Sequence, residues 1–336
     1  MKSNISSANF SLNQSGSTDD DDERDHQAGF SVQFDVLAIV LGVLIVAFNL
    51  LVLFLVAKRK HLRNPANYLL CSLAFSDLLT GLISIPLHLV CNIIQEDTVC
   101  IVAENFLRFT SISTILHLLG ITTDRYLAII HSLRYYIIVI PRRIYITIFG
   151  IWFVSFFVAF IQLIWTNPGN TNVHEDANTD AELTYDIFNL VLFFVIPLFV
   201  MVFVNSRIFY EVVRQSNIMR KDNTPGMDET KKKQRREWKA ALIFAIMFVT
   251  YCVCWLPFFI VRLQHRFGNE FFEMSPILEY VFIYLRFLCS LLNPCLYVLG
   301  KSDFRSALKR KRERNRGNSI SKGSVTKYSF LKTTQM

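Results

Sequence analysis

Residues 34–57 read FDVLAIVLGVLIVAFNLLVLFLVA, and almost nothing in the stretch is polar. As a helix it would be about 36 Å long at ~1.5 Å per residue, enough to cross a hydrocarbon core of ~30 Å. A soluble helix shows one apolar stripe, whereas this one is apolar on every face. Six further blocks read the same way, near Asn67–Ile94, Val99–Ile130, Arg143–Trp165, Leu183–Val212, Trp238–Gln264 and Met274–Gly300. Short polar loops join them. The expected fold is an all-α membrane protein: a seven-transmembrane helix bundle over 34–300, between a polar, acidic tail (1–33) and a basic tail (301–336). No apolar block opens the chain, so no cleavable signal peptide is expected and the first helix directs insertion. The 52% hydrophobic content exceeds that of ordinary soluble domains and agrees with this reading.

Charge sets the expected orientation. Lys58, Arg59, Lys60 and Arg63 fill the first connection, Arg134, Arg142 and Arg143 the third, and Lys231, Lys232, Lys233, Arg235 and Arg236 the fifth. The intervening connections carry Glu96, Asp97, Glu175, Asp176, Asp180 and Glu182 without Lys or Arg. By the positive-inside rule the N-terminus is extracellular and the C-terminus cytoplasmic. Asn4, Asn9 and Asn13 each open an Asn-x-Ser sequon in the N-terminal tail, the side the charges make extracellular. The net charge of +8 sits in juxtamembrane segments, a membrane-surface signature and not a nucleic-acid one.

Polar residues inside these blocks carry the next step. Asn49, Leu73-Ala74-Phe75-Ser76-Asp77, Asp124-Arg125-Tyr126, Trp152, Pro197, Cys254-Trp255-Leu256-Pro257 and Asn293-Pro294-x-x-Tyr297 fall one signature to a block and in order. In this the chain resembles the rhodopsin-like (class A) G-protein-coupled receptors over about residues 34–310; the subgroup is open, with adenosine-, amine- and melanocortin-receptor features side by side. The resemblance implies a receptor in the plasma membrane that passes an extracellular signal to a heterotrimeric G protein, with receptor kinases and arrestin as further partners. It gives Asp124, Arg125, Tyr126, Leu133, Glu237, Asn293, Pro294 and Tyr297 to the coupling switch, with an Arg125–Glu237 pair holding the resting state. Ile115, Pro197, Tyr251, Trp255 and Pro257 become a packing relay, with Tyr251 where Phe is usual. Asn49, Asp77, Thr114, Ser290 and Asn293 form a sodium constellation; the other reading of Asp77 is a neutral, hydrogen-bonded acid. Asn205 stands where Tyr is common and Cys289 where Asn is common. Residues 302–308 read as a short amphipathic eighth helix along the membrane surface.

For the ligand, the resemblance points to the outer halves of helices three, six and seven: Glu104, Leu107, Arg108, Ser111, Phe258, Phe259, Arg262, Glu279, Ile283 and Arg286. Leu107 takes the place of the Asp that pairs with amines in aminergic receptors, and Phe287 that of the retinal-linked Lys of opsins. Arg262 replaces the Asn that grips adenine in adenosine receptors. Inward guanidinium groups suit a carboxylate or phosphate ligand, and internal pairing with Glu104 and Glu279 is the competing reading; the ligand classes left open are an anionic small molecule, a lipid or a peptide. Cys100 stands at the family's disulfide anchor, but 166–183 contain no cysteine, which leaves Cys91 as its candidate partner. No metalloprotease, phosphate-loop or nucleophile-elbow motif is present, so no enzyme is expected. Without internal repeats a transporter is not expected either. A ligand-binding seven-helix protein without coupling is the alternative. No cofactor is expected beyond a structural sodium ion.

Overall fold

The computed structural model describes residues 32–164, 175–221, 228–267, 275–301 and 303–308. The side chains of 175–182, 228–234 and 261–267, and of Glu237, Phe258 and Glu279, lie outside that description, as do the sequons at Asn4, Asn9 and Asn13.

Helix α1 is Val32–Lys58. A short turn leads into α2, Pro65–Ile94, which Asn64 caps by accepting from the Asn67 amide at 2.9 Å. Helix α3 is Asp97–Ile130 and α4 is Pro141–Ile164. Helix α5 comprises Glu175–Leu190, a wide π turn at Val191–Val195, and Ile196–Lys221. Helix α6 is Asp228–Phe267, α7 is Pro276–Gly300, and residues 303–308 form a last short helix, α8. There is no strand among the described residues. Six of the helices are long and apolar enough to span a membrane; α6 carries a shorter described apolar stretch, Ala245–Pro257.

Successive helices run antiparallel, so the connections rich in Lys and Arg gather at one end, here the basic end. Helix α3 is the axis of the bundle and touches α2, α4, α5 and α6, while α7 closes the ring against α6 and α1. Leu69, Leu70, Leu73, Ile115, Met201, Met247 and Tyr297 are fully or almost fully buried along this axis. Phe149, Phe153 and Phe157 of α4, and Phe199 and Phe203 of α5, are exposed on the outer surface. This is the inverse of a soluble protein, and it fits a bundle whose solvent is hydrocarbon.

The irregular turns follow from proline. Pro86 and Pro197 cannot donate to the fourth residue before them, and in each helix that residue, Leu82 or Phe193, lies in a π turn, Thr80–Ser84 or Val191–Val195. The extra residue in a π turn also lets two neighbours face inward, which is why Phe193 and Phe194 are both buried. Pro294 frees the carbonyl of Ser290, and Asn49 of α1 donates to it at 3.2 Å. Pro257 interrupts α6 in the same way.

At the bottom of the first π turn, α1 and α2 approach through Gly42 and Gly81. A Cβ on Gly81 would lie 2.9 Å from Val46 Cγ2 and 3.1 Å from the Gly42 carbonyl oxygen. Gly81→Leu should therefore destabilise the bundle by about 1–3 kcal/mol through overpacking. Gly150, with nothing within 4 Å of the same position, should accept Leu with little change. Thermal unfolding of the two purified variants checks the contrast.

Candidate functional site

Three polar assemblies lie along the bundle axis. The first faces a cavity between α3, α5, α6 and α7, about 780 Å³ including its open mouth. Glu104, Arg108, Ser111, Ile115, Tyr251, Trp255, Phe259 and Arg286 of the expected residues line it. Leu107 and Ile283 do not. Leu107 is buried among Ala38, Leu41, Ile45, Ile85, Tyr284 and Phe287, and Ile283 packs on the same cluster. Neighbouring residues of a helix point about 100° apart, so with Arg108 turned to the main cavity Leu107 faces α1, α2 and α7, where it lines a separate small recess together with Ser111, Trp255 and Arg286. Arg262, Phe258 and Glu279 lie outside the described side chains.

Arg108 is the hub of this cavity's outer wall. Its guanidinium lies 3.3 Å from Glu104 and 3.6 Å from Asp186, bonds Gln162, and sits 4.9 Å from the Tyr185 ring centroid. It thus clamps α3 to α4 and α5. Asp186, Gln162, Tyr185 and Asn189 were not among the expected site residues. An ionisable residue inside an apolar block was the available signal for Asp186; the others carried none. Arg286 lies on the opposite wall, 6% exposed, its guanidinium 5.7 Å from the Trp255 ring and 5.6 Å from Phe287.

Below the cavity, Trp255 stacks on Tyr251 at 5.7 Å, and Phe194 lies 4.9 Å from Phe259. Ile115 is fully buried, and Pro197 is buried one turn beyond Phe193. Cys254 of α6 and Cys289 of α7 are both buried in the same core cluster.

The second assembly is deeper. Asp77 is fully buried and accepts from Asn293 at 3.1 Å. Asn49 donates to the carbonyls of Ile45 and Ser290, and the Thr114 hydroxyl donates to Thr110 O at 2.9 Å. One oxygen each of Asp77, Asn49 and Asn293 is buried with no hydrogen-bond partner among the described residues. Such a group of orphan oxygens around a carboxylate has the chemistry of a small hard cation's donor set. No cluster of three or more His, Cys, Asp or Glu occurs among the described residues, which leaves one carboxylate with neutral oxygens. Beside it Trp152 donates to Ser72 at 2.9 Å and His117 Nε2 lies 2.7 Å from the same hydroxyl, joining α4, α2 and α3.

The third assembly closes the basic end. Arg125, 17% exposed, pairs with its neighbour Asp124, and Tyr135 donates to the other Asp124 oxygen at 2.9 Å. Burial, then the Asp124 charge, pushes the Tyr135 phenol up from its ordinary pKa, so it stays a donor. Glu237 lies outside the described side chains, so the Arg125–Glu237 pair stands outside what the structure describes. Tyr126 is half-buried against Ile129, Ile208 and Val212, while Leu133 is 95% exposed. Tyr297 is buried 5.8 Å from Phe304 of α8. Lys301, between α7 and α8, donates to Asn67 at 2.8 Å.

At the opposite end Cys91 and Cys100 form a disulfide with Cα atoms 4.8 Å apart. It closes the α2–α3 turn, where Gln95 takes a left-handed conformation at φ 53°.

Comparison with known proteins agrees with this architecture. Residues 48–297 match the family described as 7 transmembrane receptor (rhodopsin family). The adenosine receptor A2b of Gallus gallus is 30% identical over 296 residues, covering 80% of this chain and 85% of its own. The 5-hydroxytryptamine receptor 4 of Cavia porcellus is 29% identical over 301 residues, covering 81% and 76%. The histamine H2 receptor of the same animal is 29% identical over 288 residues, covering 83% and 79%. The chain belongs to the rhodopsin family of seven-transmembrane receptors, and is a multi-pass membrane receptor and not an enzyme.

Replacing Cys91 and Cys100 together by Ala should lower the stability of the purified protein by about 2–3 kcal/mol, as loss of a short covalent loop does. Non-reducing peptide mapping of the wild type should recover residues 91 and 100 linked.

Proposed function

We propose that this receptor sits in the plasma membrane with its N-terminus outside, binds an extracellular ligand in the α3–α5–α6–α7 cavity, and passes the signal to a heterotrimeric G protein at the basic end. The observation that carries the reading is the closed Asp124–Arg125–Tyr135 assembly, set at the far end of an α6 interrupted by Pro257. Arg125 is a guanidinium held in reserve by a neighbouring acid. When α6 moves outward it becomes the contact for a partner. Asn4, Asn9 and Asn13 would carry glycans on the outer side, and the serines and threonines of the tail would serve receptor kinases and then arrestin.

The ligand enters at the end closed by the Cys91–Cys100 bridge. A ligand that shifts Trp255 acts on α6 two residues before Pro257, where the helix lacks a backbone hydrogen bond and bends at low cost. Pro294 gives α7 the same compliance beside Tyr297. Asp77, with Asn49, Thr114, Ser290 and Asn293, would hold a sodium ion in the resting state. The orphan oxygens described above support that assignment, and the ion would supply the charge that a buried carboxylate needs.

In cells carrying reporters for the Gs, Gi and Gq pathways, the wild type should signal, basally or with tissue extracts. Arg125→Ala should lose that signal while still reaching the surface. Tyr135→Phe should raise the basal signal severalfold, because it removes one restraint on Asp124 without touching Arg125. Surface-expressed wild type that is silent in every reporter would point instead to a receptor that binds without coupling.

A further inference from the structure

We infer that the cleft between α5 and α6 at the basic end seats the head group of an acidic phospholipid, one that carries a phosphate monoester, from the leaflet at that end. The cleft measures about 500 Å³ including its open mouth, and Val212, Val213, Ser216 and Asn217 of α5 line it with Arg235 and Trp238 of α6. Both helices change character along it in the same direction. Val212, Val213 and Trp238 form its apolar part. Ser216 and Asn217, one turn further along α5, and Arg235, one turn earlier on α6, form its polar part. Trp238 is half-buried, packs on the cluster of Ile129, Ile208 and Val212, and has its ring 5.3 Å from Phe209. An indole at the end of an apolar block belongs at the level of lipid head groups. The cleft thus straddles that boundary, polar at one end and apolar at the other, as a phospholipid does.

The charge at the polar end is positive. Arg235 and Lys239 are exposed and lie one turn apart on the same face of α6. Like charges at that spacing repel, and no ion pair among the described residues involves either of them. The one acid of Ile196–Lys221, Glu211, is engaged: Arg214 lies 3.0 Å from one of its oxygens, and Gln215 donates to the other at 3.1 Å. A phosphate monoester brings a charge of about −1.5 to −2 and three strong acceptor oxygens. These suit a guanidinium, an ammonium and the polar side chains of Ser216 and Asn217 together. A zwitterionic head group offers no such net charge.

The direction of the mouth favours a lipid over a protein partner. Ile208 and Val212 are buried with Ile129 of α3. At about 100° per residue, Val213 and Asn217 are turned roughly 100–180° away from them. Phe209 and Tyr210 beside them are exposed on the outer surface of α5. The cleft therefore opens toward hydrocarbon and not onto the axis where Arg125 sits. A head group seated there bridges α5 to α6, the helix that Pro257 interrupts.

The test titrates the full-length chain, purified in detergent, with lipid and counts retained lipid by native mass spectrometry. Both ends of the bundle then meet the same lipid, so the result does not depend on which end faces the cytoplasm. The probes are dioleoyl phosphatidylinositol 4-phosphate, dioleoyl phosphatidylinositol, which lacks the monoester, and dioleoyl phosphatidylcholine. The first should be retained, and the other two should bind about fivefold more weakly or less. Arg235→Gln combined with Lys239→Gln should weaken the apparent affinity for the first about tenfold or more. Arg134→Gln combined with Arg142→Gln removes the same charge from exposed positions of the α3–α4 connection, and should change it less than about threefold. All four positions are exposed, and thermal midpoints equal to that of the wild type show that loss of binding is not loss of fold. Equal retention of the three lipids overturns the inference, and so do equal losses in the two double variants, which would mean attraction to net charge alone. Normal lipid retention in the α6 variant, with loss of its binding to a purified heterotrimeric G protein, would make the cleft a protein contact and overturns it as well.

Discussion

A polar group inside a helix whose outer face meets hydrocarbon can find its partner only within the bundle, and this constraint orders the protein. Asn49 turns inward to meet the Ser290 carbonyl that Pro294 has released. Asp77 turns to Asn293, and Ser72 gathers Trp152 and His117. Each contact joins different helices, and each fixes a rotation. Apolar packing alone would leave those rotations loosely set, because a helix that is apolar all round fits its neighbours at many angles. A buried donor left without an acceptor costs about 1–3 kcal/mol, which is enough to select one.

The same constraint explains why the two ends are built differently. Near the cavity, Arg108 holds Glu104, Asp186 and Gln162 together across three helices, so that wall is held firm. Arg286 and Trp255 face each other across α6 and α7 through a softer contact. At the basic end Arg125 is held by Asp124, and Tyr135 holds Asp124 in turn. Between the ends α6 carries Tyr251, Trp255 and Pro257 in succession. Rigid walls on α3, α4 and α5 beside an interrupted α6 and α7 put the freedom to move on one side of the bundle.

Much of this was legible in the chain, because the signals are local. Long apolar blocks predict helices that span, whatever their partners. Asp124 beside Arg125, and Glu104 one turn before Arg108, place opposite charges together by helical geometry alone. Contacts across helices were not legible in that way. The Asp186–Arg108 pair, the Tyr135 bond to Asp124 and the Lys301 bond to Asn67 depend on helix rotation and on the path of a connection. Leu107 shows the limit clearly: it and Arg108 are adjacent, yet one lies in the core and the other faces the cavity. The π turns at Thr80–Ser84 and Val191–Val195 compound the difficulty, since one added residue shifts every later side chain on its helix. Cys91 and Cys100 were the two cysteines near one surface, but their union depends on the left-handed turn at Gln95.

The central claim is that α6 moves as a lever about Pro257 when the basic end engages its partner. The most direct measurement is the distance between spin labels at Tyr136→Cys, beside the end of α3, and Lys239→Cys, near the start of α6, both at exposed positions. The account predicts a distribution that shifts to longer distances, by several ångströms, when a purified heterotrimeric G protein is added in the absence of nucleotide, and that stays put in Arg125→Ala. A distance unchanged by Gs, Gi and Gq heterotrimers alike would contradict it.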